Sequence, residues 1–216
     1  LAWKKENVQR DGRKLKVVLD SGNGVAGVIA PRVINEVFGG EVIELFSEPD
    51  AAFPNHHPDP TVEKNLQHLI AAVKEHGADL GVAYDGDGDR IGVVDERGDV
   101  IWGDKLMILL SREVLKEHPG ATIIGEVKCS QSLFDDVKAH GGEPIMSAVG
   151  HSLIKAKIKE TGAKLAGEMS GHIFFNDRYF GFDDAIYATC RVMEILASTS
   201  EETKLSQLLS DVPETF

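Results

Sequence analysis

The sequence predicts an α/β fold made of two homologous three-layer α/β/α domains with mixed sheets. Short apolar runs rich in β-branched residues alternate with segments of helical periodicity, a pattern typical of layered α/β domains. The same succession of elements occurs twice, so that EHGADLGVAYDG in the first half corresponds to ETGAKLAGEMSG in the second. An internal repeat of this kind indicates two related domains.

The first half contains the elements of a domain that we assign to residues 15–101. Apolar runs predict the strands, and a turn around Arg97-Gly98 predicts that the last two form a hairpin. The helical patterns end at glycines, which favour the left-handed conformation that closes many helices. The predicted strands are 16–20, 41–46, 79–84, 91–95 and 100–102, and the predicted helices are 25–38 and 62–76.

The second half contains the elements of a domain that we assign to residues 102–212. Gly141-Gly142 ends a helical pattern in this half as Gly39-Gly40 does in the first. The predicted strands are 121–127 and 143–149, followed by a strand, loop and strand over 164–175, and the predicted helices are 103–118, 131–140, 152–160 and 183–197.

The composition excludes several classes of protein. The formal net charge of −12 over 216 residues argues against a nucleic-acid-binding protein, which would present a basic face. No apolar run approaches the roughly 20 residues that a membrane-spanning helix needs. The two cysteines, Cys129 and Cys190, lie far apart and show no metal or redox spacing, which favours structural thiols in a reducing cytoplasm.

An acidic hexapeptide, DGDGDR, follows the strand predicted at 79–84. Asp85, Asp87 and Asp89 alternate with glycines, and alternate residues of an extended segment point the same way. Three converging carboxylates repel one another unless a cation lies between them, and hard oxygen ligands suit Mg²⁺ or Ca²⁺. Arg90 follows directly and offers a guanidinium to an anion that the metal also contacts.

Two other interpretations of this hexapeptide are less favoured. In an EF-hand loop Glu96 would stand at the twelfth position, but the sixth position, which requires glycine, is Arg90. The flanking segments are also strand-like, whereas an EF-hand needs helices. A solvated acidic turn is the remaining alternative, although surface turns rarely place three acids at alternate positions before an arginine.

A second polar loop, GEMSGH, occupies the corresponding position in the second half of the repeat. It places Glu168, Ser170 and His172 at alternate positions, and these side chains are typical partners of sugar hydroxyls. Lys128 and His151 also follow predicted strands, and ligands of α/β sheets gather at the carboxyl ends of strands. Both are therefore candidates for acid/base catalysis or phosphate contact.

The segment SGNGVAG contains Gly22, Gly24 and Gly27 in the G-x-G-x-x-G spacing of a dinucleotide-binding turn. That fold also needs an acidic residue at the end of the second strand; Glu44 lies inside this strand and Glu48 lies beyond it. A tight turn that packs a helix onto a strand, with an anion at the helix N-terminus as a further possibility, is the favoured interpretation. His56 and His57 lie in a proline-rich loop without a ligand partner at useful spacing, so we interpret them as structural.

These motifs, in this order, resemble the α-D-phosphohexomutases, and within them the bacterial phosphomannomutase/phosphoglucomutase group. The motifs that carry the resemblance are KVVLDSGNGVAG, FPNHHPDP, DGDGDRIGVVD, GDKL, EVKCS, VGHSLIK, GEMSGHIFF and FGFDDAIY. Enzymes of that family have four domains, and this chain resembles the second and third. The resemblance implies that residues 1–14 are a linker from a missing first domain and that residues 213–216 begin a linker to a missing fourth domain.

The resemblance also implies roles for the site residues. Asp85, Asp87 and Asp89 would bind one Mg²⁺, with Arg90 beside the metal and the phosphoryl group. Lys128 and His151 would line the active site in proton-transfer or phosphate-contact roles. The sugar-recognition loop would comprise Glu168, Met169, Ser170, Gly171 and His172.

The implied activity is the transfer of a phosphoryl group from a phosphoserine to a hexose 1- or 6-phosphate. The intermediate, glucose or mannose 1,6-bisphosphate, then returns a phosphate to the serine. No T-A-S-H-N-P-like serine loop occurs in this sequence, so we expect the chain alone to fold and to bind Mg²⁺ weakly without turnover. The expected partners are a hexose phosphate and domains 1 and 4 of the same enzyme, with no nucleic acid and no membrane.

Two alternative functions and the choice of sugar stay open at the level of sequence. A non-catalytic sugar-phosphate or metal-binding module would keep the same loops, and a nucleotide-binding oxidoreductase is a more distant alternative. The loops also do not decide between mannose and glucose, because Glu168 and His172 could serve either epimer.

Overall fold

The computed structural model describes residues 13–213 of the chain. Most of the linkers predicted at 1–14 and 213–216 therefore lie outside the described residues. Arg13, which is described, is bound to the body of the protein. Its guanidinium pairs with the carboxylate of Asp79 and donates a hydrogen bond of 2.5 Å to the Thr203 carbonyl.

The first sheet has five strands in the order β2-β1-β3-β4-β5. The strands β2, β1 and β3 are parallel, whereas β4 and β5 are antiparallel to their neighbours, so the sheet is mixed. All residues of β3 and β4 are buried, which explains why β3 is apolar throughout and β4 is apolar up to Asp95. The strands are β1 (Lys16–Asp20), β2 (Glu41–Leu45), β3 (Leu80–Tyr84), β4 (Ile91–Asp95) and β5 (Val100–Ile101).

The second sheet has four strands in the order β7-β6-β8-β9. The first three are parallel and β9 is antiparallel to β8. This arrangement repeats that of β2-β1-β3-β4, and it confirms the prediction of two α/β domains with mixed sheets. The strands are β6 (Thr122–Glu126), β7 (Glu143–Ser147), β8 (Leu165–Gly167) and β9 (Ile173–Phe175).

Helices cover both faces of each sheet. Val18 of β1 packs in a cluster with Leu69 and Val73 on one face, whereas its neighbours Val17 and Leu19 belong to a larger cluster on the other. The helices are α1 (Ala30–Phe38), α2 (Gln67–His76), α3 (Gly103–Glu117), α4 (Gln131–Ala139), α5 (His151–Thr161) and α6 (Ala185–Ala197). None of these helices is long and apolar enough to cross a bilayer.

The larger cluster joins the two domains. It contains buried residues from β1, β3 and β4 together with residues of α3, α4 and α6, and on the second sheet it continues through Leu165 and Phe175. The outer face of the second sheet is covered by α5, whose Ile154 and Ile158 pack with Phe174. Because one hydrophobic core is shared by the two domains, the positions of the strand ends of one sheet are fixed relative to those of the other.

The helix predicted over 25–38 is divided in the structure. A 3₁₀ turn spans Val25–Val28, Ile29 breaks the helical conformation, and α1 begins at Ala30. Pro31 accounts for the break, because proline is tolerated in the first turn of a helix but disrupts its interior. The predicted helix at 62–76 likewise begins as a 3₁₀ turn, Glu63–Leu66, before α2. A third 3₁₀ turn, Leu205–Leu209, follows α6.

Candidate active site

Two loops from different domains meet at one end of the sheets. The acidic loop, Asp85–Arg90, follows β3, and the GEMSGH loop, Gly167–His172, connects β8 to β9. Arg90 and His172 form an antiparallel bridge, and the Ile91 amide donates to the Gly171 carbonyl at 3.1 Å. The loops that the internal repeat placed at equivalent positions are therefore directly hydrogen-bonded to each other.

Asp85 organises the acidic loop. Its side chain is buried, and its Oδ1 accepts hydrogen bonds from the backbone amides of Gly88, Asp89 and Arg90 at 3.0, 3.0 and 3.1 Å. Its Oδ2 accepts a hydrogen bond of 2.7 Å from Arg90 Nε. Burial acts to raise the pKa of Asp85, but the hydrogen bonds and the charge of Arg90 outweigh it and hold the pKa below its ordinary value. Asp85 is therefore an ionised group that shapes the loop.

The three aspartates of the loop form a suitable donor set for a cation. Asp87 is exposed, Asp89 is half-buried, and carboxylate oxygens of Asp85, Asp87 and Asp89 all lie within 4.8 Å of one another. Burial and the negative charges of Asp85 and Asp87 raise the pKa of Asp89 to about 7. A cation among these oxygens would relieve this repulsion, and an all-oxygen set fits Mg²⁺.

Arg90 is held between two carboxylates. Besides its bond to Asp85, its Nη1 donates to Asp59 Oδ1 at 3.2 Å. Burial alone would raise the pKa of Asp59, but hydrogen bonds from Thr61 and the charge of Arg90 lower it. Asp59 lies in the proline-rich loop before α2, and the sequence analysis did not assign it to the site. Only its acidic side chain within FPNHHPDP could have suggested it.

Glu168 connects two loops of the second domain. This buried carboxylate accepts a hydrogen bond from the Gly150 amide at 2.7 Å through Oε1 and one from Ser170 Oγ at 3.1 Å through Oε2. Both oxygens of the predicted sugar-contacting group thus already have partners within the protein. Glu168 fixes the GEMSGH loop against the segment that leads into α5 and His151.

Glu126, at the end of β6, is a second buried carboxylate that sequence reasoning missed. Its Oε1 accepts from the Met169 amide at 3.1 Å, and its Oε2 accepts from the Lys128 amide at 2.6 Å. The backbone of Lys128 is thereby tied to the GEMSGH loop. The Lys128 side chain is exposed and forms no ion pair with any residue in 13–213, so its ammonium group is free to contact an anion.

Asp183 gathers three cationic or potentially cationic side chains. Its Oδ1 lies 3.0 Å from Lys155 Nζ, and its Oδ2 lies 3.1 Å from His172 Nδ1 and 3.8 Å from His151 Nδ1. The His172 contact is close but not aligned as a hydrogen bond. The rings of His151 and His172 stack with centroids 5.8 Å apart, which brings two predicted site residues together.

His172 also approaches the acidic loop, where its Nδ1 lies 3.5 Å from Asp89 Oδ1. Burial lowers the pKa of His172, although Asp183 and Glu168 act in the opposite direction. Asp183 itself belongs to the FGFDDAIY segment, and the sequence analysis did not assign it a role. Its contacts arise because Asp183 pairs with Phe174 at the edge of β9.

The glycine turn, Ser21–Gly24, supports the acidic loop from the other side. The Val25 amide donates to the Gly86 carbonyl at 3.0 Å, and a Cβ on Gly24 would lie 2.8 Å from the same oxygen. Gly22 has a φ of +50°, which favours glycine. These glycines therefore serve close backbone packing, as the favoured interpretation of SGNGVAG expects. Cys129 and Cys190 are buried free thiols, and burial raises the pKa of each to about 12.

Two family models match the chain in succession. The phosphoglucomutase/phosphomannomutase alpha/beta/alpha domain II model matches residues 2–98, and the domain III model matches residues 102–216. The chain belongs to the phosphoglucomutase/phosphomannomutase family. The resemblance inferred from the DGDGDR and GEMSGH motifs is confirmed.

Individual members of the family agree with this assignment. A phosphomannomutase/phosphoglucomutase from Pseudomonas syringae is 60% identical over 185 residues, which are 86% of this chain and 40% of that protein. The crystal structure of a phosphoglucomutase/phosphomannomutase family protein from Burkholderia thailandensis superposes with a TM-score of 0.92 at 49% identity, over 99% of this chain and 45% of the other. The chain thus spans less than half the length of these relatives.

The same fold occurs in more distant structures. Aspergillus fumigatus N-acetylphosphoglucosamine mutase, solved in complex with GlcNAc-6P and magnesium, superposes with a TM-score of 0.71 at 16% identity. That superposition covers 99% of this chain and 48% of the other. At this level of identity the comparison shows the shared fold of the phosphoglucomutase/phosphomannomutase domains.

Proposed function

We propose that this chain is the Mg²⁺-binding and sugar-recognition part of a phosphosugar mutase. The enzyme would interconvert hexose 1-phosphate and hexose 6-phosphate through a phosphoserine and a bisphosphosugar intermediate. The observation that carries this proposal is the bridge between Arg90 and His172, because it joins a three-carboxylate loop to the GEMSGH loop at one site.

Asp85, Asp87 and Asp89 are the residues that would hold Mg²⁺. The bound ion would neutralise charge on a transferring phosphoryl group. Arg90 presents a guanidinium beside these carboxylates, and Lys128 and His151 add an exposed ammonium and imidazole on the second domain. An anionic substrate can therefore bind to a protein whose overall charge is negative, because the bound ion and the side chains of Arg90 and Lys128 are positive.

The GEMSGH loop would recognise the sugar. Ser170 and His172 are half-buried beside the acidic loop, and Glu168 retains lone pairs on its two oxygens after its internal hydrogen bonds. Backbone groups of Met169 and Gly171 complete the loop. These groups recognise hydroxyls without an evident preference for one epimer, and we propose that both glucose and mannose phosphates, and their 1,6-bisphosphates, are accepted.

The phosphoserine and the remaining phosphate contacts would come from domains 1 and 4 of the same enzyme. The family models, which match domains II and III, and the share of its relatives that the chain spans support this proposal. The proposed bounds are 15–101 for the first domain and 102–212 for the second. The free thiols of Cys129 and Cys190 favour a reducing cytoplasm as its location.

The test is a chimera in which residues 1–216 replace domains II and III of the Pseudomonas syringae relative. Conversion of glucose 1-phosphate is followed by coupled oxidation of glucose 6-phosphate, and mannose 1-phosphate is assayed in parallel. We expect turnover by the chimera, none by the 216-residue chain alone, and a loss on the order of 100-fold or more in Asp87→Asn.

The matched control is Asp135→Asn, which changes an exposed aspartate on α4, outside the acidic loop. A folded chimera that binds Mg²⁺ but turns over neither sugar would contradict the proposal. It would favour instead a non-catalytic sugar-phosphate or metal-binding module.

A further inference from the structure

A buried acid–imidazole pair lies behind the acidic loop. Asp20 ends β1 with a fully buried side chain, and His56 lies in the proline-rich loop with its side chain 10% exposed. Both oxygens of Asp20 are 3.0 Å from His56 Nε2, and the other ring nitrogen, Nδ1, is 3.0 Å from the His57 carbonyl oxygen. The sequence analysis considered His56 structural and did not identify this partner.

The two contacts define the charge of the ring. A carbonyl oxygen accepts hydrogen bonds and cannot donate them, and an ionised carboxylate does the same, so both ring nitrogens carry protons. His56 is then an imidazolium paired with the Asp20 carboxylate. The hydrogen bond to Asp20 raises the pKa of His56 against the opposing effect of burial. The other neighbours of the ring are Phe46, edge-on at 5.4 Å, and the titratable His68 of α2, stacked at 6.1 Å.

A continuous set of hydrogen bonds leads from this pair to Arg90. The His57 carbonyl that accepts from His56 also accepts from the Asp59 amide at 2.8 Å. Asp59 Oδ1 in turn accepts from Arg90 Nη1 at 3.2 Å. Pro58 and Pro60, both buried, flank Asp59 and restrict its backbone, so a displacement of His57 would be passed on to Asp59.

The same carboxylate also supports the opposite side of the acidic loop. Asp20 Oδ1 accepts a hydrogen bond of 2.9 Å from the Gly22 amide, within the glycine turn. The residue after this turn, Val25, donates its amide to the Gly86 carbonyl of the acidic loop at 3.0 Å. Asp20 thus lies where the two segments that contact the acidic loop converge.

We propose that His56 and Asp20 are positioning residues that set the orientation of Arg90 and the shape of the acidic loop, acting through Asp59 and the glycine turn. The inference rests on the proposed function for the role of Arg90 at the site. Neither residue belongs to the groups proposed to bind the metal or the substrate; the pair instead orients those groups.

The test uses side-chain NMR of the 216-residue chain. Nitrogen shifts of the His56 ring should show both nitrogens protonated at neutral pH, and deprotonation should occur above the ordinary histidine pKa. The Arg90 Nε–H signal should move with the same midpoint. Asp89 also titrates near Arg90, so the component due to His56 is the one that disappears in His56→Ala while the component due to Asp89 remains.

Mg²⁺ binding by the same chain, measured by calorimetry, gives a second readout. We expect His56→Ala to weaken the affinity by about tenfold, which is typical for residues that orient the groups of a metal site without binding the metal themselves. His57→Ala is the matched control, because it removes the adjacent exposed imidazole but keeps the carbonyl that links His56 to Asp59. It should stay within about twofold of the wild type.

Three results would overturn the inference. They are a singly protonated His56 ring at neutral pH, an Arg90 Nε–H chemical shift that does not change at the titration midpoint of His56, and equal Mg²⁺ affinities for His56→Ala and His57→Ala. If His56→Ala does not fold, the wild-type titration and Asp20→Asn, which keeps the side-chain shape, provide the same comparison. The readouts need no turnover, so a failure here is distinct from an inactive chimera.

Discussion

Arg90 and His172 pair as an antiparallel bridge between the two domains. One residue ends the loop with three aspartates, and the other ends the loop with Glu168 and Ser170. Because backbone hydrogen bonds join the two segments, the positions of the acidic loop and the GEMSGH loop are coupled without any ligand. A change in either loop should therefore affect groups of the other.

The exposed aspartate of the acidic loop should matter for metal binding and little for folding. Asp87→Asn removes one carboxylate from the three-oxygen set, and we expect Mg²⁺ affinity measured by calorimetry to fall at least about tenfold. Its free energy of unfolding should change by less than about 0.5 kcal/mol, because Asp87 is exposed. Asp135→Asn should change neither quantity, and an unaltered Mg²⁺ affinity in Asp87→Asn would exclude Asp87 as a ligand.

The buried aspartate of the same loop should matter for folding as well as for metal binding. Asp85→Asn removes the charge and replaces one carboxylate oxygen by an amide nitrogen, which cannot accept the hydrogen bond that Arg90 Nε donates to Oδ2. We expect the free energy of unfolding in urea to fall by about 2 kcal/mol, which is typical for loss of a hydrogen bond to a charged group. Equal stability of Asp85→Asn and Asp87→Asn would show that Asp85 does not organise the loop.

Mg²⁺ affinity should increase as the pH rises through about 7. The pKa of Asp89 is raised to about 7, so below this value a proton competes with the metal for its carboxylate. Calorimetry in buffers of different ionisation enthalpy should detect release of up to one proton per ion near pH 6 and almost none near pH 9. In Asp89→Asn this proton release should disappear. A pH-independent affinity in the wild type would contradict the assignment.

The pair of His56 and Asp20 should make stability decrease at alkaline pH. The pKa of His56 is higher in the folded chain than its ordinary value, so the folded state binds the proton more tightly. This stabilisation is complete below the unfolded pKa and is lost as the pH rises through the folded pKa. Urea unfolding from pH 6 to pH 9 measures it together with a slope due to Asp89, whose pKa is about 7. The slope should be smaller in His56→Ala than in the wild type and unchanged in His57→Ala.

Gly171 is required by the approach of the two loops. It has a φ of +94°, and a Cβ at this position would lie 2.4 Å from the Ile91 carbonyl oxygen. Gly162 has a similar φ of +71°, but a Cβ there would meet no atom within 4 Å. We expect Gly162→Ala to cost about 1 kcal/mol for the left-handed backbone and Gly171→Ala to cost clearly more. Equal losses in thermal or urea unfolding would argue against a tight loop contact.

Local features of the sequence predicted much of the fold. The buried strand β3 is a continuous apolar run, and helix ends at Gly39, Gly77 and Gly162 adopt the left-handed conformation that glycine favours. The two departures, at the starts of α1 and α2, are 3₁₀ turns, and only at α1 does a proline explain the break. The internal repeat then predicted two related sheets, because each half contains the same succession of elements.

The sequence by itself determined which loops are candidates for the site, because carboxylates at alternate positions and a strand-end hydroxyl and imidazole are properties of neighbouring residues. The partners of those loops were decided by the tertiary structure. Arg90 and Asp59 are 31 residues apart, His56 and Asp20 are 36 apart, and Met169 and Glu126 are 43 apart. Such pairs depend on how strands and loops are placed in space, which no local pattern encodes. These pairs fix the conformation of the loops and the orientation of their side chains.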